Sequence, residues 1–127
     1  MKKEIINCKN SAPALGPYSH AVRVGNLLFV SGRTPSMPVT EELVDDNIEN
    51  ATKRVIENVN DILEEAGTKL DNVVKTTVFL RDMNDFTEMN KIYGEYFKVD
   101  LPARSCIQVA KLPRNAMVEI EVVAYVE

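Results

Sequence analysis

Hydrophobic side chains recur at steps of three and four residues in two stretches of the chain, which predicts two amphipathic helices. The first stretch covers residues 46–66, and Gly67 follows it where a left-handed residue commonly ends a helix. The second begins at Asp85, where Glu88 three residues later gives a capping-box pattern. We therefore expect each helix to bury one apolar stripe while its opposite face stays polar.

Runs rich in β-branched or alternating apolar residues predict six strands. The segment 21–31 predicts two strands joined by a tight turn at Gly25-Asn26, since both residues tolerate positive φ. The other strands are predicted at Lys3–Asn7 (weakly), Val73–Leu80, 103–111 and 117–126, with Pro113-Arg114-Asn115 as a turn before the last. The order β-β-β-α-β-α-β-β predicts an α+β fold, in which residues 1–127 form a single domain with two helices on one face of a mostly antiparallel six-stranded sheet.

Period two separates two faces of the predicted strand 103–111. Its more apolar face is expected to meet the helices, so Arg104 and Cys106 are expected to point away from them. An arginine there is either an ordinary surface residue or a planar fork that grips a carboxylate through two hydrogen bonds. Cys106 either lines a pocket or pairs as a nucleophile with His20, and the absence of any other histidine favours the pocket.

The last predicted strand places Glu119 and Glu121 together on the face away from the helices. They are either exposed to solvent or partly buried at an interface, where one could orient or deprotonate a water. In a direct hairpin of the last two strands, Arg104 would lie about 20 Å from the position opposite Glu119, at ~3.3 Å per residue. Either these strands are not neighbours or a shared site is assembled between subunits, and we favour assembly between subunits.

Charge and composition narrow the function further. The net charge is −4 and the pI about 5.1, so nucleic acid is not an expected partner. A single histidine and two distant cysteines, Cys8 and Cys106, predict neither a metal site nor a disulfide. No apolar run is long enough for a signal peptide or a membrane span, so a cytoplasmic location is expected.

Several short segments, taken in order, resemble motifs of the reactive-intermediate deaminase (RidA/YjgF) family, and the resemblance covers nearly the whole chain. They are the proline-rich segment 12–19, the strand segment 25–32, the middle segment 74–93, and Pro102-Ala103-Arg104-Ser105-Cys106 followed by Val118-Glu119-Ile120-Glu121. Each motif alone is weakly specific, whereas their order and spacing together are highly specific.

The resemblance implies a chorismate-mutase-like fold assembled as a homotrimer with three clefts between subunits. It also implies hydrolysis of 2-imino acids such as 2-iminopropanoate and 2-iminobutanoate to 2-oxo acids and ammonia, without a cofactor. Such imines are released by pyridoxal-phosphate-dependent dehydratases, and clearing them protects other pyridoxal-phosphate enzymes.

Residue roles follow from the same resemblance. Arg104 would clamp the substrate carboxylate, Glu119 would hold the attacking water, and Tyr18 would close the cleft. The alternative for Tyr18, which follows Gly16-Pro17, is that its ring packs in the core. The cleft would be lined by Ser31, Gly32, Asn90 and Cys106.

Arg33 departs from the family pattern, which commonly has glutamine there, and it either alters substrate preference or pairs with an acidic neighbour. Two other functions remain open: a non-catalytic regulatory protein that binds a metabolite in the same cleft, and an endoribonuclease or translation inhibitor. An intact Arg104–Glu119 pair counts against a pure binder. The acidic charge and the single histidine count against a ribonuclease.

Overall fold

A computed structural model describes residues 2–127 and confirms the predicted α+β fold, six strands and two helices in the predicted order. In chain order the elements are β1 (Lys3–Ile6), β2 (Ala21–Val24), β3 (Leu27–Arg33), α1 (Ile48–Glu65), β4 (Val73–Leu80), α2 (Phe86–Tyr96), β5 (Ala103–Gln108) and β6 (Val118–Tyr125). The hairpin between β2 and β3 turns at Gly25-Asn26 as predicted, although only Gly25, with a φ of 59°, adopts the left-handed conformation.

The six strands form one sheet in the order β1-β2-β3-β6-β4-β5. All neighbours are antiparallel except β4 and β5, which run parallel because α2 crosses between them. β5 and β6 are not neighbours, because β4 lies between them, so the first of the two alternatives given for these strands is correct. The segment around Arg114 instead carries the chain from one edge of β4 to its other side.

α1 ends just before the glycine that the sequence predicts, whereas α2 lacks the predicted capping box at its start. Asn47 caps α1 by accepting a hydrogen bond from the Asn50 backbone N–H at 2.8 Å, and Gly67 has a φ of 82° just past its end. The capping box expected at Asp85 is absent, because that residue lies in a 3-10 turn rather than in the extended conformation a cap needs. Asp82 accepts the Asn84 N–H at the start of that turn instead.

One hydrophobic core fills the space between the sheet and the helices. Its fully buried side chains come from both layers and include Leu28, Ile56, Ile62, Leu63, Val78, Leu80, Met89, Val118 and Ile120. The sheet face away from the helices, here called the open face, carries large apolar side chains that are 38–47% exposed: Ile5, Leu27, Phe29, Ile107 and Tyr125. In the described part of the chain, no helix has the length and apolar character that crossing a membrane requires.

Candidate active site

Glu119 lies on the open face of β6, between the core residues Val118 and Ile120. Its carboxylate occupies the space above Gly32, where a β-bulge interrupts the register between β3 and β6. A Cβ atom at Gly32 would fall 2.8 Å from the Glu119 carboxyl carbon, so a side chain there would displace the carboxylate from this position. The glycine is thus needed for close approach rather than for a left-handed backbone.

The surroundings of Glu119 favour a carboxylate that can take a proton. Burial raises its pKa, and the negative charge of Glu121, two residues along the same face, raises the pKa further. A raised pKa brings a carboxylate nearer to the value at which a general base works well close to neutral pH. Glu121 itself is exposed.

Tyr18 faces the same cleft, a cavity of about 270 Å³ whose lining also includes Glu119, Gly32 and Arg33. The ring is 46% exposed, and its hydroxyl accepts a hydrogen bond from the Leu15 backbone N–H at 3.2 Å. The structure therefore does not bury Tyr18 in the core. It presents the ring at the mouth of the cleft.

Ser31 and Arg33 fix the two ends of the loop that carries Tyr18. The Ser31 hydroxyl donates to the Ser19 carbonyl at 2.7 Å, so it anchors the chain just after Tyr18. Arg33 is buried and donates from Nη2 to the Ser11 hydroxyl and the Ala12 carbonyl, at 2.8 and 2.9 Å. Within residues 2–127 Arg33 forms no ion pair, so of its two alternatives the pairing with an acidic neighbour is not observed.

Arg104 points toward α2, so the expectation that its face lies away from the helices is wrong. Its Nη1 donates to the Asn90 side-chain oxygen at 2.7 Å, and its Cζ lies 4.8 Å from the centre of the Tyr93 ring and 5.6 Å from that of Phe86. Ile107, expected to be covered by the helices, is 47% exposed on the open face. The reason is that α2 offers the guanidinium an amide oxygen and two aromatic faces, which compensate for its partial burial.

Cys106 lies two residues beyond Arg104 on the same face and packs partly against the core. Burial raises the pKa of its thiol, with Arg104 acting in the opposite direction, so the thiol is not activated as a nucleophile. His20 is occupied elsewhere, since its Nδ1 accepts the Cys8 backbone N–H at 2.9 Å. These contacts do not support a Cys–His pair, and Cys106 lies partly buried on the same face of β5 as Arg104.

The predicted residues fall into two groups that one protomer does not bring together. Glu119, Gly32 and Tyr18 line one cleft, whereas Arg104 and Cys106 lie on the face of β5 beneath α2, which supplies Asn90. β4 lies between the two groups, since Arg104 is paired with Thr76 of β4 and Glu119 is paired with Phe79 of the same strand. Thr76 and Phe79 are three residues apart and point to opposite faces, so the two groups lie on opposite sides of the sheet. Sequence reasoning alone did not assign Phe86 and Tyr93 to the site, although their spacing around Asn90, at i, i+4 and i+7, places all three on one helical face.

Substituting Gly32 with alanine is expected to lower kcat/KM about tenfold to a hundredfold in the reaction proposed below. The added Cβ displaces the Glu119 carboxylate, and small misplacements of a reacting group carry penalties of this size. Gly94→Ala is the matched control, because a Cβ there meets no atom within 4 Å. Steady-state rates and melting temperatures of both variants check this, and an active Gly32→Ala protein would contradict the position assigned to Glu119.

Acidification is expected to destabilise the protein through His20. Burial and then the charge of Arg33 lower the pKa of His20 in the folded protein, so the unfolded chain takes up the proton first. This contribution is fully present above about pH 6.5, the ordinary histidine pKa, and is lost progressively as the pH falls below it. Urea midpoints between about pH 7.5 and 5.5 measure the effect. His20→Asn, which keeps an acceptor for the Cys8 N–H, should show a flatter dependence, and an equal slope in both proteins would contradict the assignment.

Among residues 2–127, no group of three or more histidine, cysteine or acidic side chains is arranged to hold a metal ion.

Comparison with known proteins gives a match to the endoribonuclease L-PSP family model over residues 9–126. A RutC family protein of Pyrococcus abyssi is 49% identical over 127 residues, which is 100% of both chains. The 2-iminobutanoate/2-iminopropanoate deaminase of Mus musculus is 43% identical, over 96% of this chain and 90% of the mouse protein.

Solved structures show the same fold. A putative endoribonuclease from Thermotoga maritima MSB8 has a TM-score of 0.95 at 48% identity and covers 100% of this chain and 99% of its own. TdcF of E. coli with bound serine has a TM-score of 0.92 at 35% identity, over 98% of this chain and 99% of its own. Because the family model and these relatives each extend over nearly all of the sequence, the chain belongs to the reactive-intermediate deaminase (RidA/YjgF) family.

Proposed function

We propose that the protein is a 2-imino acid deaminase, which hydrolyses substrates such as 2-iminopropanoate and 2-iminobutanoate to 2-oxo acids and ammonia without a cofactor. The observation that carries the proposal is the Glu119 carboxylate, partly buried in a cleft above Gly32 with a raised pKa. A pure metabolite binder has no need of such a group. Deaminase names among the relatives, and the serine bound to TdcF, support a small substrate with an amino acid skeleton.

Each step of the proposed reaction uses a group with matching chemistry. Arg104 binds the substrate carboxylate through two parallel hydrogen bonds. Glu119 takes a proton from water as the water oxygen adds to C2, and the proton passes to the nitrogen. Glu119 then moves the proton of the C2 hydroxyl to the nitrogen as the carbon–nitrogen bond breaks, so ammonia leaves and C2 becomes the carbonyl carbon of the 2-oxo acid. Removing these imines would protect pyridoxal-phosphate enzymes. The proposed location is the cytoplasm, and the two free cysteines fit it because disulfides are rare there.

Assembly as a homotrimer is part of the proposal, because Arg104 and Glu119 face opposite sides of one sheet. A cleft between subunits would join the Arg104 group of one protomer to the Glu119 group of its neighbour. The apolar open face supports this, since side chains such as Phe29 and Tyr125 remain 46% and 38% exposed in the isolated chain.

Light scattering at micromolar concentration is expected to give three times the chain mass of 14.2 kDa. Phe29→Asp places a charge on the open face and should yield monomers without deaminase activity. Val39→Asp, at a loop residue that is 90% exposed, is the control and should remain trimeric and active. A wild-type monomer, or an active monomeric variant, would contradict the shared cleft.

The activity is tested by adding the protein to a threonine dehydratase reaction and following ammonia and 2-oxobutanoate. The proposal expects their release to become faster in proportion to the protein added. A regulatory binder would bind 2-oxobutanoate without changing the rate, and that result would overturn the proposal.

A further inference from the structure

We propose that Tyr93 is the positioning residue of the Arg104 clamp and that the face of its ring fixes the orientation of the guanidinium. The inference rests on the proposed function, in which Arg104 binds the substrate carboxylate. Its basis is the position of the Arg104 Cζ over the Tyr93 ring, 4.8 Å from the ring centre. Tyr93 itself does not touch the substrate.

The Tyr93 ring is held on several sides. Its hydroxyl lies 2.8 Å from the Thr76 hydroxyl, forming a buried hydrogen bond between α2 and β4. The Phe97 ring packs against it with centres 4.5 Å apart, and only 7% of Tyr93 is exposed. Because Thr76 is also the partner of Arg104 in the β4–β5 ladder, one pair of strands anchors both the arginine and the ring beneath it. The ring is therefore a rigid surface.

A rigid surface matters because arginine has many rotamers and a carboxylate clamp uses one of them. Asn90 already accepts one N–H from Nη1, which sets the guanidinium's rotation about its own axis. An aromatic face restricts its tilt, attracts its charge and excludes water from that side. Together the two contacts pre-order the remaining N–H donors, so less entropy is lost when a carboxylate binds. Phe86 also faces the guanidinium, but its ring centre lies 5.6 Å from the Arg104 Cζ against 4.8 Å for Tyr93, so Tyr93 supplies the nearer aromatic face.

Removing the ring should therefore weaken carboxylate binding while leaving the chemistry intact. For Tyr93→Leu we expect the Kd of 2-oxobutanoate and the KM of iminobutanoate to rise about tenfold, in the range of a cation–π contact, with kcat changed much less. The ring-retaining control is the double variant Tyr93→Phe with Thr76→Val, which removes both hydroxyls and leaves no unpaired buried partner. Its Kd should stay within about twofold of wild type.

A double-mutant cycle separates positioning from general support of the fold. In an Arg104→Ala background, Tyr93→Leu should weaken 2-oxobutanoate binding no further, because no guanidinium is left to orient. An unchanged Kd for Tyr93→Leu alone, or an equal loss in both backgrounds, would overturn the inference. Tyr93→Met fills a similar volume without a ring and replaces the leucine variant in the same cycle if that variant does not fold.

The wild-type protein keeps this inference distinguishable from the proposed function. If wild type neither binds 2-oxobutanoate nor hydrolyses iminobutanoate, the proposed function itself fails. If wild type does both and the Tyr93 variants match it, only the role of Tyr93 fails.

Discussion

Arg104→Lys is expected to lower kcat/KM for iminobutanoate about a hundredfold, although the positive charge is kept. An ammonium cannot form the two parallel hydrogen bonds of a guanidinium, and losing one charge-assisted bond costs about 1.5–3 kcal/mol. Lysine also lacks the planar group that lies over Tyr93 and donates to Asn90. Steady-state release of ammonia measures the loss, and the Kd of 2-oxobutanoate shows whether it arises in binding.

The matched control is Arg23→Lys. Arg23 lies on β2, where its Nε donates to the Gly25 carbonyl, and it belongs to neither group of site residues. Its replacement should leave the kinetics unchanged, so a general sensitivity to arginine loss is distinguished from loss of the clamp. Near-normal turnover by Arg104→Lys would show that the substrate carboxylate is not held by a fork at this position.

Glu119→Gln is expected to lower the hydrolysis rate about a hundredfold or more, the scale of losing a general base, while 2-oxobutanoate still binds. Glutamine has nearly the same shape, so the close approach to Gly32 is retained and only the proton acceptor is lost. Measuring kcat and ligand affinity in the same preparation separates the two effects. Loss of both would mean that Glu119 shapes the cleft, and unchanged activity would make Glu121 the next residue to test.

The companion variant Glu121→Gln is expected to change the pH dependence of kcat/KM rather than its maximum. In the proposed reaction the ionised form of Glu119 accepts a proton, so we expect activity to decline as the pH falls through its raised pKa. Since the Glu121 charge contributes to that rise, removing it should move the acidic limb of the kcat/KM profile to lower pH and leave the plateau nearly unchanged. A limb that stays in place would contradict the coupling of the two carboxylates.

The elements of this fold were predictable because their patterns are local. The apolar stripe of α1, the turn at Gly25 and the β-branched run of β4 each specify their structure within a few residues. The order of the strands in the sheet could be predicted in part, because a helix such as the one between β4 and β5 is the usual connection of parallel strands. The position of β6 could not be predicted, because its insertion between β3 and β4 depends on contacts between residues distant in sequence.

The facing of Arg104 could not be predicted from β5 alone. β5 is an edge strand, which is paired on one side only. When neither face of such a strand is fully covered, the number of apolar residues on each face is a weak guide to which face meets the helices. The decisive contacts come from Phe86, Asn90 and Tyr93 on another element, which a single strand's alternation does not report. The family motifs supplied the residues of the proposed site, but they did not indicate which of these residues share a face.

The central position of β6 has a consequence for how the chain folds. β1, β2 and β3 form one antiparallel unit and β4, α2 and β5 form another, and in residues 2–127 the two units join in the sheet through β6. Until residues 118–125 have been synthesised, β3 and β4 each keep an unpaired edge beside a largely apolar surface. Sheet closure therefore comes late and depends on long-range contacts, which slow folding. The stage just before closure is when two nascent copies can most readily pair edge to edge and aggregate.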